Sequence, residues 1–406
     1  MRLANRLTKR LALTGGVQQM LPLEDLPDPA MELALAGVDV DPRPYQQRII
    51  QKAIQQFEGR YRNRGGLEPA AASVMIESPT GSGKTVMGLT IARYLQRQHG
   101  LRIGWVAMRR NLLTQAEREN RSRGFNIDLQ LISMFDKQPP AVDVLIIDEA
   151  QHDAAMSMAN LHCQIRPQKI LGLTATPYRA DRIKLCFDKV IRDAGIHSLI
   201  QDGYLSPYHH YTIPQYDPRS VAQCYAREME RWGKSLMFFH RLDQCIACWE
   251  ELAMLGVRSE IVTANTDRDR QLDDFAQGKV EVLINMAILT EGFDCPTLKT
   301  VFCRPSGRGC TVQMAGRVLR KHEEHAYKQI VQCQKTPHPF QRTASAAEQY
   351  LWDGSTWRSL KMNAQINAIS QQARKMIATA RVELPQLVAA SRSRATPWSR
   401  DRIAVG

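Results

Sequence analysis

The chain has no apolar run long enough to cross a bilayer. Nor does its start show the order of charged, apolar and small residues that marks a secretory signal. A helical membrane protein is therefore not expected, and a cytoplasmic, reducing setting is. A disulfide framework is missing as well, because the nine cysteines are odd in number and scattered. Cys245 and Cys248 form one CxxC with no second pair near it. They fall in a helix-like run, Leu242 to Leu255, where small thiols are commonly buried rather than metal-bound. Acid is the scarcer charge: 41 Asp and Glu stand against 54 Lys and Arg, a net +13. That balance favours a polyanionic partner, nucleic acid ahead of an anionic membrane. Met1 to Met20 carries Arg2, Arg6, Lys9 and Arg10 and no acid, which reads as a basic arm or fraying helix rather than a transit peptide.

What is present suits a soluble globular protein of two or three domains: 406 residues, 44% hydrophobic and 23% charged. The most informative stretch is Ser78-Pro-Thr-Gly-Ser-Gly-Lys84-Thr85. An apolar, β-like run from Ala72 to Glu77 enters it, and a helix-compatible run from Val86 to Gln98 leaves it. Strand, glycine loop, Lys-Thr and helix together cradle a nucleotide triphosphate. Backbone N–H groups of Thr80, Gly81, Ser82 and Gly83 and of the helix start would face phosphate oxygens. Gly81 and Gly83 allow the close approach. Lys84 would reach the β/γ-phosphates, and the Thr85 hydroxyl would ligand Mg²⁺. Ser78 stands where the strict pattern has glycine.

Apolar β-like runs then recur at Ile103–Met108, Leu129–Ile132, Val142–Ile147 and Lys169–Thr174, with helical stretches between several of them. Such alternation predicts a parallel sheet covered on both faces, with ligands at the carboxyl ends of its strands. After a less regular connection, Ala180 to Arg219, a second set follows: Ser235–Phe239, Glu260–Val262, Val280–Ile284, Leu298–Phe302 and Tyr327–Val331. Helix-like runs Leu242–Leu255, Arg268–Gln277 and Thr311–Arg320 lie among them. The second set has no phosphate loop of its own. From His338 the chain turns polar, with Trp352 and Trp357, and Arg392 to Arg402 is basic.

Val144 to Ile147 is an apolar strand ending in Asp148 and Glu149. Asp148 can hold Mg²⁺ through water, and Glu149 can orient or deprotonate an attacking water. With these segments on the page, the chain resembles the superfamily 2 helicases and translocases, the DEAD/DEAH-like two-lobed motors. The resemblance runs from Arg43 to Arg320, in the family's motif order. Arg43-Pro-Tyr-Gln46 is similar to the adenine-reading glutamine motif. Ser78 to Thr85 resembles motif I, where Ser commonly replaces the first Gly. Val106 to Gln115 resembles motif Ia, which touches the nucleic-acid backbone, and Asp148 to His152 resembles motif II, with Gln151 where a DEAH sequence has His. Leu173-Thr174-Ala-Thr176-Pro177 resembles motif III, which couples hydrolysis to strand movement. Leu289 to Pro296 resembles motif V, and Gln313 to Arg320 motif VI. The wording is closest to the RadD/XPB-like and restriction-motor branch.

The resemblance implies an α/β fold of two RecA-like lobes, parallel sheets flanked by helices with nucleotide in the cleft between them. Short extensions would sit at either end: residues 1–40, then lobes 41–215 and 216–338, then 339–406. It implies ATP and Mg²⁺ as cofactors. Lys84, Asp148, Glu149, Gln313, Arg317 and Arg320 would be catalytic. Arg43, Gln46, the phosphate loop, Gln151, Gly292 and Asp294 would bind nucleotide. Arg109, Gln115 and Thr290 would touch nucleic-acid phosphates, and His152, Thr174 and Thr176 would couple the two events. Phosphoryl transfer needs positive charge at the γ-phosphate. Arg317 and Arg320 are expected one helical turn apart on a shared face, with Arg320 as arginine finger and Gln313 beside it. DNA is favoured over RNA. An RNA helicase, or an ATP-gated binding subunit with little unwinding, is the alternative. The two extensions offer places for a protein partner. Trp352 and Trp357 are weighted towards packing, and His209, His210 and His240 away from metal ligation. Cys303, Cys310, His322 and His325 suggest zinc at first sight, but the arginines among them fit motif VI better. No nuclease carboxylate–lysine constellation and no four-cysteine insert is evident.

Overall fold

A computed structural model describes residues 28–152, 156–175, 187–286, 288–290, 293, 295–360, 372–373 and 376. The chain divides into two compact units, one ending at Ala347 and one beginning at Glu348. The first unit contains two parallel sheets. In the first sheet the strands are β1 (Ser73–Glu77), β2 (Ile103–Ala107), β3 (Leu129–Ser133), β4 (Val144–Asp148), β5 (Lys169–Thr174) and β6 (Lys189–Arg192). Their spatial order is β3-β2-β4-β5-β1-β6, and every pairing is parallel. Every residue of β2 is buried, as a central parallel strand covered on both faces requires. The flanking helices are α1 (Pro29–Leu35), α2 (Pro44–Phe57), α3 (Lys84–His99), α4 (Arg110–Ser122), α5 (Met156–Ile165) and α6 (Ile196–Gln201).

Helix α1 is begun by the Asp28 carboxylate accepting from the Ala30 N–H. Its end is tied to α3, where Arg93 donates to the Ala36 carbonyl and Arg97 to that of Leu33. Residues 28–36 thus pack as part of the first sheet's helical cover. Helix α3 lies close on the sheet at Gly88. A β-carbon there would stand 2.9 Å from Leu173 Cδ1 and 3.0 Å from Trp105 Cη2.

The second sheet comprises β7 (Tyr208–Ile213), β8 (Ser235–Phe238), β9 (Ser259–Val262), β10 (Val282–Asn285), β11 (Thr300–Phe302) and β12 (Lys328–Cys333). Within the unit their order is β9-β10-β8-β11-β12-β7, again all parallel. Helices α7 (Pro218–Arg227), α8 (Met229–Trp232), α9 (Leu242–Met254), α10 (Arg268–Ala276) and α11 (Arg308–Gly316) accompany it. Three expectations are corrected here. Tyr208–Ile213, grouped above with the first lobe, hydrogen-bonds beside β12, so the crossing between sheets precedes residue 208. The helix expected over Thr311–Arg320 ends at Gly316, and Arg317 is its C-cap. Strand β6 also falls in the stretch read as irregular connection.

Cys245 and Cys248 are buried on α9, as the apolar run suggested. Burial pushes the Cys245 thiol up to about 11, the reverse of what a reactive or metal-bound thiol needs. His210 is buried against Gln332, and His240 contacts Arg304 and the Pro305 carbonyl. In the second unit, β13 (Glu348–Trp352) and β14 (Trp357–Ser359) form an antiparallel hairpin. Its two tryptophans, both half-buried, meet edge to face at 5.1 Å. The contact packs the two rings against each other.

Candidate active site

The loop from Ser78 to Gly83 leaves the carboxyl end of β1 and opens α3. Gly81 and Gly83 both take φ of +81°, which a side chain would resist. At Gly83 a β-carbon would also lie 2.4 Å from Gln46 Nε2, so glycine is needed on two counts. The loop is shaped from three directions. Ser78 Oγ donates to Ser82 Oγ at 2.7 Å. The Tyr45 hydroxyl and Gln46 Nε2 donate to the Ser82 carbonyl at 2.6 and 2.8 Å. The Ser78 N–H donates to the Thr174 carbonyl at 2.9 Å. Helix α3 has Gly83 at its N-cap and no side chain capping it, so its first N–H groups stay directed at the loop's concavity.

Gln46 was expected to read a base. Its amide is occupied within the protein, accepting from the Arg43 N–H at 2.9 Å and donating to Ser82. Arg43 lays its guanidinium 5.0 Å over the Tyr204 ring, and Tyr204 lies 5.2 Å from Tyr45. Tyr45 and Tyr204 were not singled out in the sequence. The first adjoins Gln46 in Arg-Pro-Tyr-Gln, which was the available signal; the second has none.

Both sheets contribute to one cleft of about 210 Å³. From the first come Thr80, Gly81, Gly83, Lys84, Thr85, Asp148 and Glu149, and from the second Phe293, Arg317 and Arg320. The lobes meet closely here: a β-carbon on Gly316 would lie 3.3 Å from Thr80 Cβ. Lys84 Nζ donates to the Ser78 and Pro79 carbonyls at 3.2 and 3.3 Å. Burial pushes its pKa below the ordinary lysine value, while Glu149 and Asp148 pull it back. Arg317 is buried and donates to the Phe293 carbonyl at 3.1 Å. Burial pushes Arg320 down to about 10, offset by Glu119, so it stays charged at neutral pH.

Asp148 ends β4, and Glu149 follows with φ of 55°, a left-handed conformation uncommon for a side-chain-bearing residue. Glu149 Oε2 accepts from Gln151 Nε2 at 3.0 Å, and Gln151 Oε1 accepts from Thr174 Oγ1 at 2.7 Å. Strand β5 lies between β1 and β4. Thr174 at its end therefore holds the phosphate loop through its carbonyl and the carboxylate through Gln151. Gln151, expected at the nucleotide, instead bridges Glu149 and Thr174.

Other expectations meet the structure unevenly. Arg317 and Arg320 do reach one cleft, but by a turn after the helix and not by one helical face. Gln313 is half-buried on α11 and does not line that cleft. Gln115, read as a nucleic-acid contact, faces the cleft from α4 with Leu112, Glu119 and Arg123. Glu119 was missed altogether. Arg109 is the N-cap of α4, half-buried, and its charge meets that of Arg268 from the second lobe. Arg268 in turn is pushed down to about 10, by burial first and by Arg109 second. Thr176, Gly292 and Asp294, and the side chains of His152 and Thr290, lie outside the described residues.

The donor set fits a hard divalent cation. The Thr85 hydroxyl and the Asp148 carboxylate are oxygen donors lining the same cleft as the phosphate loop, the kind Mg²⁺ takes.

Comparison with known proteins adds independent findings. Residues 39–128 match the family described as "Type III restriction enzyme, res subunit". Residues 218–322 match "Helicase conserved C-terminal domain". A 51.5 kDa protein of a Lactococcus phage (isolate 7-9) is 26% identical over 268 residues, 57% of this chain and 59% of that protein. The Saccharomyces cerevisiae protein named "Putative ATP-dependent helicase IRC3" is 26% identical over 232 residues, 47% of this chain and 34% of its own length. The chain thus spans less than two thirds of either relative. Among solved structures, the ATP-dependent Type ISP restriction-modification enzyme LlaBIII bound to DNA superposes with a TM-score of 0.53 at 17% identity. That match covers 74% of this chain and 28% of the enzyme, and it is a likeness of fold.

Proposed function

The chain belongs to the superfamily 2 helicases, with restriction-enzyme motors among its relatives, and on that premise we propose that it is an ATP-hydrolysing motor that moves along or remodels DNA. The observation that carries the reading is the composition of the cleft. Lys84, Thr85, Asp148 and Glu149 come from one sheet's loops, and Arg317 and Arg320 from the other's. An active site divided this way is complete only when the lobes are together, so turnover reports on lobe position.

In this reading the loop N–H groups and Lys84 bind the triphosphate. Glu149, oriented by Gln151, positions and deprotonates the attacking water. Arg320, with Arg317 beside it, meets charge that develops on the transferred phosphoryl group. When bound, Mg²⁺ would be held by Thr85 and Asp148 and would neutralise phosphate charge. The net charge of +13 suits a polyanionic track. Arg109, Arg268 and Thr290 are the candidates for gripping its phosphates, which positions a strand without reading its sequence. Residues 1–40 and 339–406 are the candidate sites for a protein partner, and the cytoplasm the proposed location. Among the described residues no helix is long and apolar enough to cross a membrane.

Steady-state turnover of the wild type, Lys84→Ala, Glu149→Gln and Arg320→Ala tests the assignment. Lys84→Ala should abolish hydrolysis. Glu149→Gln should bind ATP and not turn it over. Arg320→Ala should slow turnover by roughly 10³-fold or more. Retained hydrolysis by Lys84→Ala would remove the phosphate-loop assignment, and a loss under tenfold for Arg320→Ala would shift the finger to Arg317.

A further inference from the structure

A group of metal-ligating side chains lies just beyond the catalytic arginines. His322, Glu324 and His325 each bring a ligand atom to within 4.8 Å of the others. The zinc pattern set aside in the sequence paired these histidines with Cys303 and Cys310. In the fold Cys303 is buried next to β11 and Cys310 is exposed on α11, and neither belongs to the group. Glu324, which that pattern did not include, completes it.

The backbone builds this arrangement. Lys321 to Ala326 form a tight turn in which His322 and His325 bridge as antiparallel partners. The His325 N–H donates to the His322 carbonyl at 3.1 Å. The two rings stand 5.6 Å apart between centroids. His322 Nδ1 accepts weakly from the Glu324 N–H at 3.4 Å, so its lone pair is directed into the turn, 3.9 Å from Glu324 Oε2. His325 Nε2 lies 3.2 Å from the Thr297 carbonyl, and Nδ1 lies 3.0 Å from the Glu324 carbonyl. A neutral imidazole donates through one nitrogen only. With Nε2–H on Thr297, the Nδ1 lone pair faces the Glu324 carbonyl oxygen on the turn side, two acceptors 3.0 Å apart that a cation beside them would reconcile, and the Thr297 carbonyl serves as the outer partner that ligating histidines use to fix their tautomer. Lys328 is held away, its amine donating to the Pro296 and Leu298 carbonyls.

We propose that the Lys321–Ala326 turn binds one divalent transition-metal ion through His322, Glu324 and His325. Two imidazoles and a carboxylate, with no thiolate, suit Zn²⁺ and leave the fourth position to water or an outside ligand. Bonds of about 2.0–2.1 Å place tetrahedral donors about 3.4 Å apart, so the group has to contract slightly. Glu324 is exposed and can supply that movement by rotating its own side chain. The ion would fix the turn that follows Arg320, whose His325 ring already contacts the Thr297 carbonyl.

The test is direct metal binding by the metal-free full chain. Zn²⁺ is titrated in competition with a chromophoric chelator, and Co²⁺ is followed by its visible d–d absorption. A single equivalent of Zn²⁺ and the bands of four-coordinate Co²⁺ are expected. His322→Ala and His325→Ala should each weaken Zn²⁺ binding by roughly 100-fold, more than the loss of an outer partner. Glu324→Gln should weaken it by roughly tenfold or more. Cys310→Ser, removing an exposed thiol, should change nothing. If His325→Ala loses its folded circular dichroism spectrum, His322→Ala and Glu324→Gln decide the matter. Absence of Zn²⁺ uptake by the wild type, or undiminished uptake by those two variants, overturns the proposal.

Discussion

Thr174 is the residue that joins the first sheet's two contributions to the cleft. Its carbonyl accepts from Ser78 in the phosphate loop and its hydroxyl donates to Gln151, which donates to Glu149. Thr174→Val keeps the side chain's shape and the carbonyl contact but removes the hydroxyl. ATP affinity should stay within about twofold while turnover falls by roughly tenfold, since only the carboxylate loses its orientation. Equal losses of affinity and turnover would mean that the hydroxyl supports the loop instead. The role could be expected in outline from Leu-Thr-Ala-Thr-Pro, but the route through Gln151 could not. It depends on β5 lying between β1 and β4, which neighbouring residues in the sequence do not encode. The same holds for Tyr45 and Glu119, whose side chains meet the loop and the cleft only after α2 and α4 have packed. Lys84, Thr85, Asp148 and Glu149 were legible because their chemistry is carried by contiguous residues at a strand's end.

Strands with continuous apolar runs were read correctly, since β2, β4 and β5 are buried strands of a parallel sheet. Strand β7 was not, because Tyr-His-His-Tyr-Thr-Ile lacks a continuous apolar run and follows a long irregular stretch. The end of α11 was misplaced for another reason. Val318 and Leu319 continue an apolar pattern, yet both are buried in the turn that delivers Arg320 to the cleft. Close helix-to-sheet contact gives the prediction at this scale. Gly88→Val would drive a branched side chain into Leu173 and Trp105. Overpacking of this kind costs about 1–3 kcal/mol. Chemical denaturation should show that loss, and Gly309→Ala, where nothing lies within 4 Å of a β-carbon, should not.

Across the molecule, acid stability should depend on the edge where β2 and β4 begin. Asp143 accepts from the Arg102 backbone N–H, Nε and Nη2, each at 2.9 Å. The guanidinium and that N–H hold its pKa down at about 2. The folded value lies below the unfolded one of about 3.9, so the unfolded chain binds more protons in between. Stabilisation is therefore present above about pH 4 and is lost as pH falls towards 2. The melting temperature of the wild type should fall towards that of Asp143→Asn over this interval, and a constant difference would contradict the assignment.

The division of the cleft between two lobes makes the central claim one of coupling, and ATPase activity with and without polymer tests it most directly. Turnover is measured with no nucleic acid, single-stranded DNA, duplex DNA and single-stranded RNA, with Lys84→Ala as the blank. Strong stimulation by a DNA form is the predicted result, and stimulation by RNA alone would reassign the track. Activity flat across all four conditions, with ATP still bound, would contradict the motor and leave a nucleotide-gated subunit in its place.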